Sequence, residues 1–600
     1  MADGYHPSLL EPLYPEAVGL VAGWLDEIGA ARLPAEIVES YPFPGCIGWR
    51  IPTDVGDRVL VLDALLGPNF PYSQPAMFLV DAPPFPAYPH LNPDASICVL
   101  PANAEWDTSQ PLAFFKAQIA SAADVLTKGV TGENHDDFRE ELLSYWRVDS
   151  GRLRIRSLLR PEPGNRTVGL WRGSDFAIVA DDHPTINEWL AHRNGEKTTK
   201  KWNIGSAFLI WLDQAPLPTE FPDNVEALMD VLERESCLGD FARIIAQHPE
   251  AATVIFGFPA EHSTAFIAVD VMPSRSGRRR GTINVRHWLR DGFRDAVPAQ
   301  IVLARFLNNA SVARRFVDRI DPAWIHGRDA NPDLDHLQTS TVTLVGCGSL
   351  GSEVARLLAQ AGVAGFCLID PETLQASNTA RHVLGSAAIG ASKAKALARK
   401  LEQDFPHIVD VKVSDHRAGW MSVRQQEPRA ILGSDLVIST VGSWHVEANL
   451  NRWLSETEGS PAAVYGWAEP HSMAGHAILV RRGGACLQCG IRPNGQTPWK
   501  VTTWDRPTIH REPACGAFFQ PYGSVNSLGV ARMIADLALD ALLNRAQPGV
   551  HRSWSAPRRS LDLAGGAWTP EWLALVDGDE RGGREIEGEW VANEHCEVCR

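Results

Sequence analysis

Several things are scarce in this 600-residue chain. No apolar run approaches the roughly 20 residues that a membrane-spanning helix needs. The opening "MADGYHPSLLEPLYPEAV" lacks a basic stretch followed by an apolar one, so no secretory leader is expected there. Positive charge is in deficit: 56 Lys and Arg against 72 Asp and Glu give −16. That argues against direct nucleic-acid binding and against anionic membranes. The one basic cluster, Arg275, Arg278, Arg279 and Arg280, reads as a solvated loop. No internal repeat is seen. Together these absences set the expectation of a cytoplasmic protein. Its ten cysteines would then be reduced and need a metal, chemical or packing explanation.

What is present is ordinary globular composition, 44% apolar and 21% charged, in a chain too long for one core. Punctuation divides it into a unit over 1–145, a middle segment over 160–325 where strand-like runs alternate with helical stretches, and a unit over 326–600 with βαβ patterning. The order of elements predicts a multidomain α/β protein with a parallel sheet in its last third.

The last unit opens on "TVTLVGCGSLGSEVARLLAQAGVAGFCLID". Gly346, Gly348 and Gly351 form G-x-G-x-x-G between an apolar strand and a helix. That pattern makes a tight turn, lets backbone approach phosphate, and aims helix N-terminal amides at the anion. Asp370 ends the following strand, where a carboxylate accepts ribose hydroxyls. These residues alone fit either NAD or ATP.

The continuation "IDPETLQASNTARHVLGSAAIGASKAKAL" resembles the ThiF/MoeB/ubiquitin-activating superfamily. The resemblance implies a Rossmann-like adenylation domain. Asp370, Asn378, Arg381 and Lys393 would hold ATP, with Arg381 and Lys393 as cations on the phosphates and Lys395 competing for the second place. Mg²⁺ is expected with ATP. The family's strand-end acid is absent here, since Val441-Gly442-Ser443 stand in its place and Asp435 lies at the strand's start, while Asn449 and Asn451 on the next helix fit. Two C-x-x-C pairs, Cys486/Cys489 and Cys596/Cys599, point to a structural Zn²⁺ that pins the C-terminus back. Cys515, in a Pro- and Gly-containing loop before a helix, matches the superfamily's thioester-forming cysteine. Cys347 and Cys367 read as packing residues.

The N-terminal unit resembles ubiquitin-conjugating (E2) enzymes. "FPYSQPAMFL" is similar to one of their strands and "YPHLNPDASICVL" to their active-site flap, followed by "EWD" and a helix. The resemblance makes Cys98 the conjugating cysteine and Asn92 an oxyanion-stabilising amide, with His90 near the flap histidine. His90 and Cys98 stand closer than usual, and Leu91 replaces a proline. Cys46 and Cys237 have no such context.

Activating and conjugating modules in one chain resemble the fused E1–E2 proteins of bacterial CBASS anti-phage operons. That resemblance implies a partner protein with a C-terminal glycine tail, either a cGAS-like nucleotidyltransferase or a ubiquitin-like modifier, and a homodimer. Arg315, Arg319 or Arg328 would be the source of an arginine crossing to a second subunit. The ending "CEVCR" has no glycine tail, so the expectation is an enzyme rather than a modifier. The middle segment is expected to connect or dock. Alternatives remain: an adenylyltransferase for a sulfur-carrier protein, an NAD-dependent oxidoreductase, and a catalytically inert binding scaffold.

Overall fold

The computed structural model describes residues 12–43, 47–100, 104–147, 153–194, 202–248, 251–274, 297–405, 407–408, 414–416, 419–492, 494–511 and 518–599. The basic cluster at 275–280, Cys46 and Cys515 lie outside the described residues. The chain divides into two compact units, one of residues 1–154, 163–166 and 208–317, the other of residues 155–162, 167–207 and 318–600.

The first unit begins with helix α1 (Pro15–Glu27), which buries Val18, Val21 and Leu25, one face at three- to four-residue spacing. A four-stranded antiparallel meander follows: β1 (Ala31–Arg32), β2 (Ile47–Val55), β3 (Arg58–Leu66) and β4 (Ala76–Leu79). Helix α2 (Pro111–Thr131) starts on a proline and ends at Gly132 in the left-handed conformation, φ 78°. Its Phe114, Phe115, Ala122 and Leu126 join Val21, Leu25, Leu62 and Ala64 in one core. Short helices α3 (Asp137–Glu140) and α4 (Leu142–Arg147) contribute Phe138, Leu142, Tyr145 and Trp146 to a second core in the same unit. That core is roofed by strands of the middle segment, antiparallel Ala252–Ala260 and Ser263–Met272, whose runs "TVIFGF" and "FIAVDV" are buried nearly end to end.

The second unit is built on an eight-stranded sheet. Strands β5 (Thr341–Val345), β6 (Gly365–Ile369), β7 (Ser414–His416), β8 (Leu436–Ser439) and β9 (Ala462–Ala468) lie parallel in the order β7-β6-β5-β8-β9. Such strands bury both faces, hence the runs "TVTLV" and "GFCLI" buried nearly end to end. Three further strands, β10 (Ala474–Val480), β11 (Val550–Ser555) and β12 (Glu585–Glu589), extend the sheet antiparallel. The five residues between β9 and β10 are too few for a crossover, so the chain turns back on itself. Helices α5 (Ser349–Ala361) and α6 (Ser524–Leu542) share one core, including Val354, Leu358, Val530 and Ile534. Helix α7 (Trp444–Glu456) covers the other side through Leu450, Trp453 and Leu454. No helix among the described residues is long and apolar enough to cross a membrane.

Candidate active sites

In the first unit, a tight turn brings Cys98 into place. Asn92 accepts from Ala95 N–H and donates its own N–H to Ser96 O, and Leu91 bridges Ile97. Cys98 follows immediately, exposed, with its N–H donated to His90 O at 2.8 Å. The backbone of His90 is left-handed, φ 61°, and its N–H is donated to Tyr145 Oη at 2.9 Å. Its ring sits between two carboxylates: Nε2 is 2.9 Å from Asp137 and Nδ1 is 3.3 Å from Glu141. The hydrogen bond to Glu141, outweighing burial and joined by Asp137, raises the His90 pKa to about 9. Cys98 is pushed above the usual thiol range by burial and by Glu141, so it is a thiol at neutral pH. The Asn92 amide is exposed and donates to Ser96 Oγ at 2.9 Å. Asp137, Glu141 and Tyr145 escaped sequence reasoning. They lie 47 to 55 residues beyond His90, and the acidic run "ENHDDFREEL" signals only the two carboxylates.

In the second unit the three glycines of the turn do different work. Gly346 has φ 93°, the tight turn itself. A Cβ on Gly348 would meet nothing within 4 Å, leaving room for a ligand. A Cβ on Gly351 would fall 1.9 Å from Gly346 O, so helix and turn touch only because that residue has no side chain. Asp370, 5% exposed, braces the turn by accepting Cys347 N–H at 2.7 Å and Glu372 N–H at 2.8 Å. His382 donates from Nε2 to Cys347 O at 2.7 Å while Nδ1 accepts Leu384 N–H. It was not anticipated from sequence. Burial keeps it neutral.

The expected cations gather around this turn. Lys393 opens helix α8 (Lys393–Asp404), which Ser392 caps, and Lys393 Nζ pairs with the exposed Glu372 at 2.5 Å. Arg381 lies over Tyr522, 4.7 Å from the ring centre, and Tyr522 Oη donates to Ser349 Oγ at the start of α5. The Arg381 Nε is buried with no acceptor. Asn378 caps a short turn through Gln375 N–H. Beside these residues a cavity of about 460 Å³ is lined by Gly348, Ser349, Thr440–Gly442, Glu447, Glu469, Gln520 and Tyr522, among others.

Asp435, the sequence's other acid, is not at this cavity. It holds Thr341 N–H at 2.7 Å, at the opposite end of β5 from the glycine turn. Asn451 accepts Leu487 N–H at 2.9 Å and so supports the first cysteine pair instead. Strands His510–Arg511 and Phe518–Phe519 pair antiparallel and bracket the stretch holding Cys515.

The four cysteines of the two C-x-x-C pairs converge. Their sulfurs all lie within 4.8 Å of one another, with Cys486–Cys596 at 3.5 Å and Cys489–Cys599 at 3.4 Å. A tetrahedral Zn²⁺ with 2.3 Å Zn–S bonds puts sulfurs about 3.8 Å apart, so the set fits that ion; disulfides would need about 2.05 Å. Trp590, buried, clamps the two halves by donating to Cys486 O at 3.0 Å.

Residues 326–554 match the ThiF family and residues 45–152 match prokaryotic E2 family B. The chain is therefore an activating and a conjugating module in one polypeptide, an ATP-dependent E1–E2 enzyme of ubiquitin-like type. An "ATP-dependent ubiquitin transferase-like protein Cap2" of Pseudomonas aeruginosa is 25% identical over 548 residues, 86% of this chain and 93% of that one. A Vibrio cholerae protein of the same name is 25% identical over 267 residues, 42% of this chain and 43% of its own length. "Ubiquitin-like modifier-activating enzyme 5" of Drosophila willistoni is 24% identical over 278 residues, 41% and 63% of the two chains.

Proposed function

We propose that the second unit adenylates the C-terminal carboxylate of a glycine-tailed partner protein, that Cys515 takes the acyl group, and that Cys98 receives it before transfer to an amine. The observation that carries this reading is the Arg381 guanidinium, buried at Nε without an acceptor, beside a glycine turn whose central residue opens onto free space. That is an anion receptor. An inert scaffold would bury an unpaired donor at a cost of about 1–3 kcal/mol for nothing, and a hydride-transfer reading leaves the Cys98 flap without a task.

The chemistry balances as follows. The partner's carboxylate oxygen attacks the α-phosphorus of ATP and pyrophosphate leaves. Charge on the departing phosphates falls to Arg381 and to Lys393, whose exposed partner Glu372 yields it readily to a phosphate. The Cys515 thiolate attacks the acyl carbon, AMP leaves, and Cys98 repeats the exchange with Cys515 as leaving group. Asn92 supports the flap beside Cys98, its amide turning from Ser96 to the oxyanion. A carboxylate is a poor electrophile, and each thioester keeps the carbonyl activated while it moves. Structural Zn²⁺ in the four-cysteine cluster holds the C-terminus to the adenylation domain. The sulfur-carrier reading leaves the Cys98 flap without a task.

The partner is a cGAS-like nucleotidyltransferase ending in glycine, and surfaces within residues 160–325 dock it. The enzyme works as a homodimer. Arg315 is held by Asp270 at 2.7 Å, and Arg319 is buried between Asp321 and Asp329. Arg328 is exposed over Trp324, which makes it the arginine that crosses to a second subunit.

Intact mass under non-reducing conditions, with ATP, Mg²⁺ and the partner, tests the relay. A reductant-labile adduct is expected. Cys515→Ala abolishes it and Cys98→Ala confines it to Cys515. ATP binding without any adduct would remove the thioester steps.

A further inference from the structure

Two of the described residues lining the 460 Å³ cavity are acids, and none is Lys or Arg. Glu469 is occupied: it pairs with His476 at 2.9 Å and accepts Val501 N–H, Thr502 N–H and Thr502 Oγ1. Glu447 differs. It projects from the first turn of α7 and is 6% exposed. Ser439 Oγ donates to its Oε1 at 2.9 Å, and the amides of Val441 and Gly442 donate to the carboxylate. All three donors are neutral, and no ion pair engages it among the described residues.

Burial pushes the Glu447 carboxyl up to about 7 in spite of these donors; a cation beside it would hold it ionised, since buried charges pair or coordinate a metal. A carboxylate offers about four acceptor positions, so three donors leave one. The open position belongs to a cavity that also presents Gly348 and Ser349, the phosphate-facing turn. The geometry points to Glu447 as the acid that holds the nucleotide's divalent cation, supplied by helix α7 because the preceding strand ends in Val441-Gly442-Ser443. Mg²⁺ suits this arrangement, since it takes one or two carboxylates plus phosphate oxygens and keeps several waters. Gly442 stands at φ 64°, and its amide is one of the donors to the carboxylate. This inference rests on the adenylation reading above.

The test uses the full-length chain, Mn²⁺ as spectroscopic probe and a non-hydrolysable ATP analogue. Mn²⁺ affinity of the protein–analogue complex is read by electron paramagnetic resonance. Glu447→Gln is expected to weaken it by about tenfold or more, while analogue binding in EDTA stays within about twofold. An unchanged Mn²⁺ affinity would overturn the assignment. A second measurement needs no variant. Fe²⁺ loaded in place of Mg²⁺, with ascorbate and peroxide, cleaves backbone near the metal. Cuts at 439–447 are expected, and cuts confined to other segments overturn the proposal. A chain that binds no analogue, with or without metal, overturns the adenylation reading and this inference with it.

Discussion

At the scale of single residues, His90 shows how a side chain's protonation is set from a distance in sequence. Its ring nitrogens face Asp137 and Glu141, which hold it charged to about pH 9. A histidine with a raised folded pKa stabilises fully below its unfolded pKa near 6.5, and the benefit fades as pH rises through 9. The site is half exposed, so solvent screening leaves about 1–2 kcal/mol of that linkage. His90→Gln should therefore speed hydrogen exchange over 90–98 by roughly 5- to 30-fold at pH 6.5. Near pH 9.5 wild type and variant should converge, and a difference that persists there would contradict the ion-pair account. Cys98 and His90 are legible in "YPHLNPDASICVL" because the flap is local. The clamp is not, since α3 and α4 approach it only after α2 has crossed the sheet.

At the scale of elements, the glycine turn was the most legible feature, because strand, turn and helix are contiguous and each glycine answers a local need. Gly351→Ala tests the tightest of these. Its methyl would strike Gly346 O and Thr440 Oγ1. Overpacking of about 1–3 kcal/mol should displace the turn. Loss of ATP-analogue affinity by tenfold or more is expected in calorimetry, whereas Gly348→Ala should fold unchanged and lose affinity through lost access alone. The cysteine knuckles were legible as chemistry but not as geometry. That Asn451 and Trp590 brace them follows from α7 and the C-terminal strand folding back, contacts 36 and 104 residues long. Elemental analysis of the wild-type chain should find one zinc per chain, and Cys596→Ser with Cys599→Ser should abolish it. Exchange should then rise across 586–599, with ATP-analogue binding retained. Glu447 was invisible to sequence reading for a related reason: a glutamate at a helix start reads as a dipole partner, and only the tertiary fold turns it toward the cavity.

At the scale of the whole molecule, the sequence order of conjugating unit, middle segment and activating unit does not correspond to three separate bodies, for residues of the middle segment pack into both compact units. Alternating strands and helices carry no mark of which sheet they will join, so this sharing could not be read from pattern. The cysteines of the proposed relay belong to different units. The proposed homodimer, with Arg328 crossing between subunits, would let a thioester on one chain's Cys515 be passed to the other chain's Cys98. Equal amounts of Cys98→Ala chain and Cys515→Ala chain, distinguishable by tag, should then restore the conjugate that neither makes alone. Yield should rise with total protein until the dimer saturates, because exchange of subunits is governed by mass action. Arg328→Ala in both chains should depress the restored yield together with ATP turnover. If mixing restores nothing while sedimentation shows mixed dimers, acyl transfer runs within a chain, and the dimer serves the adenylation step alone.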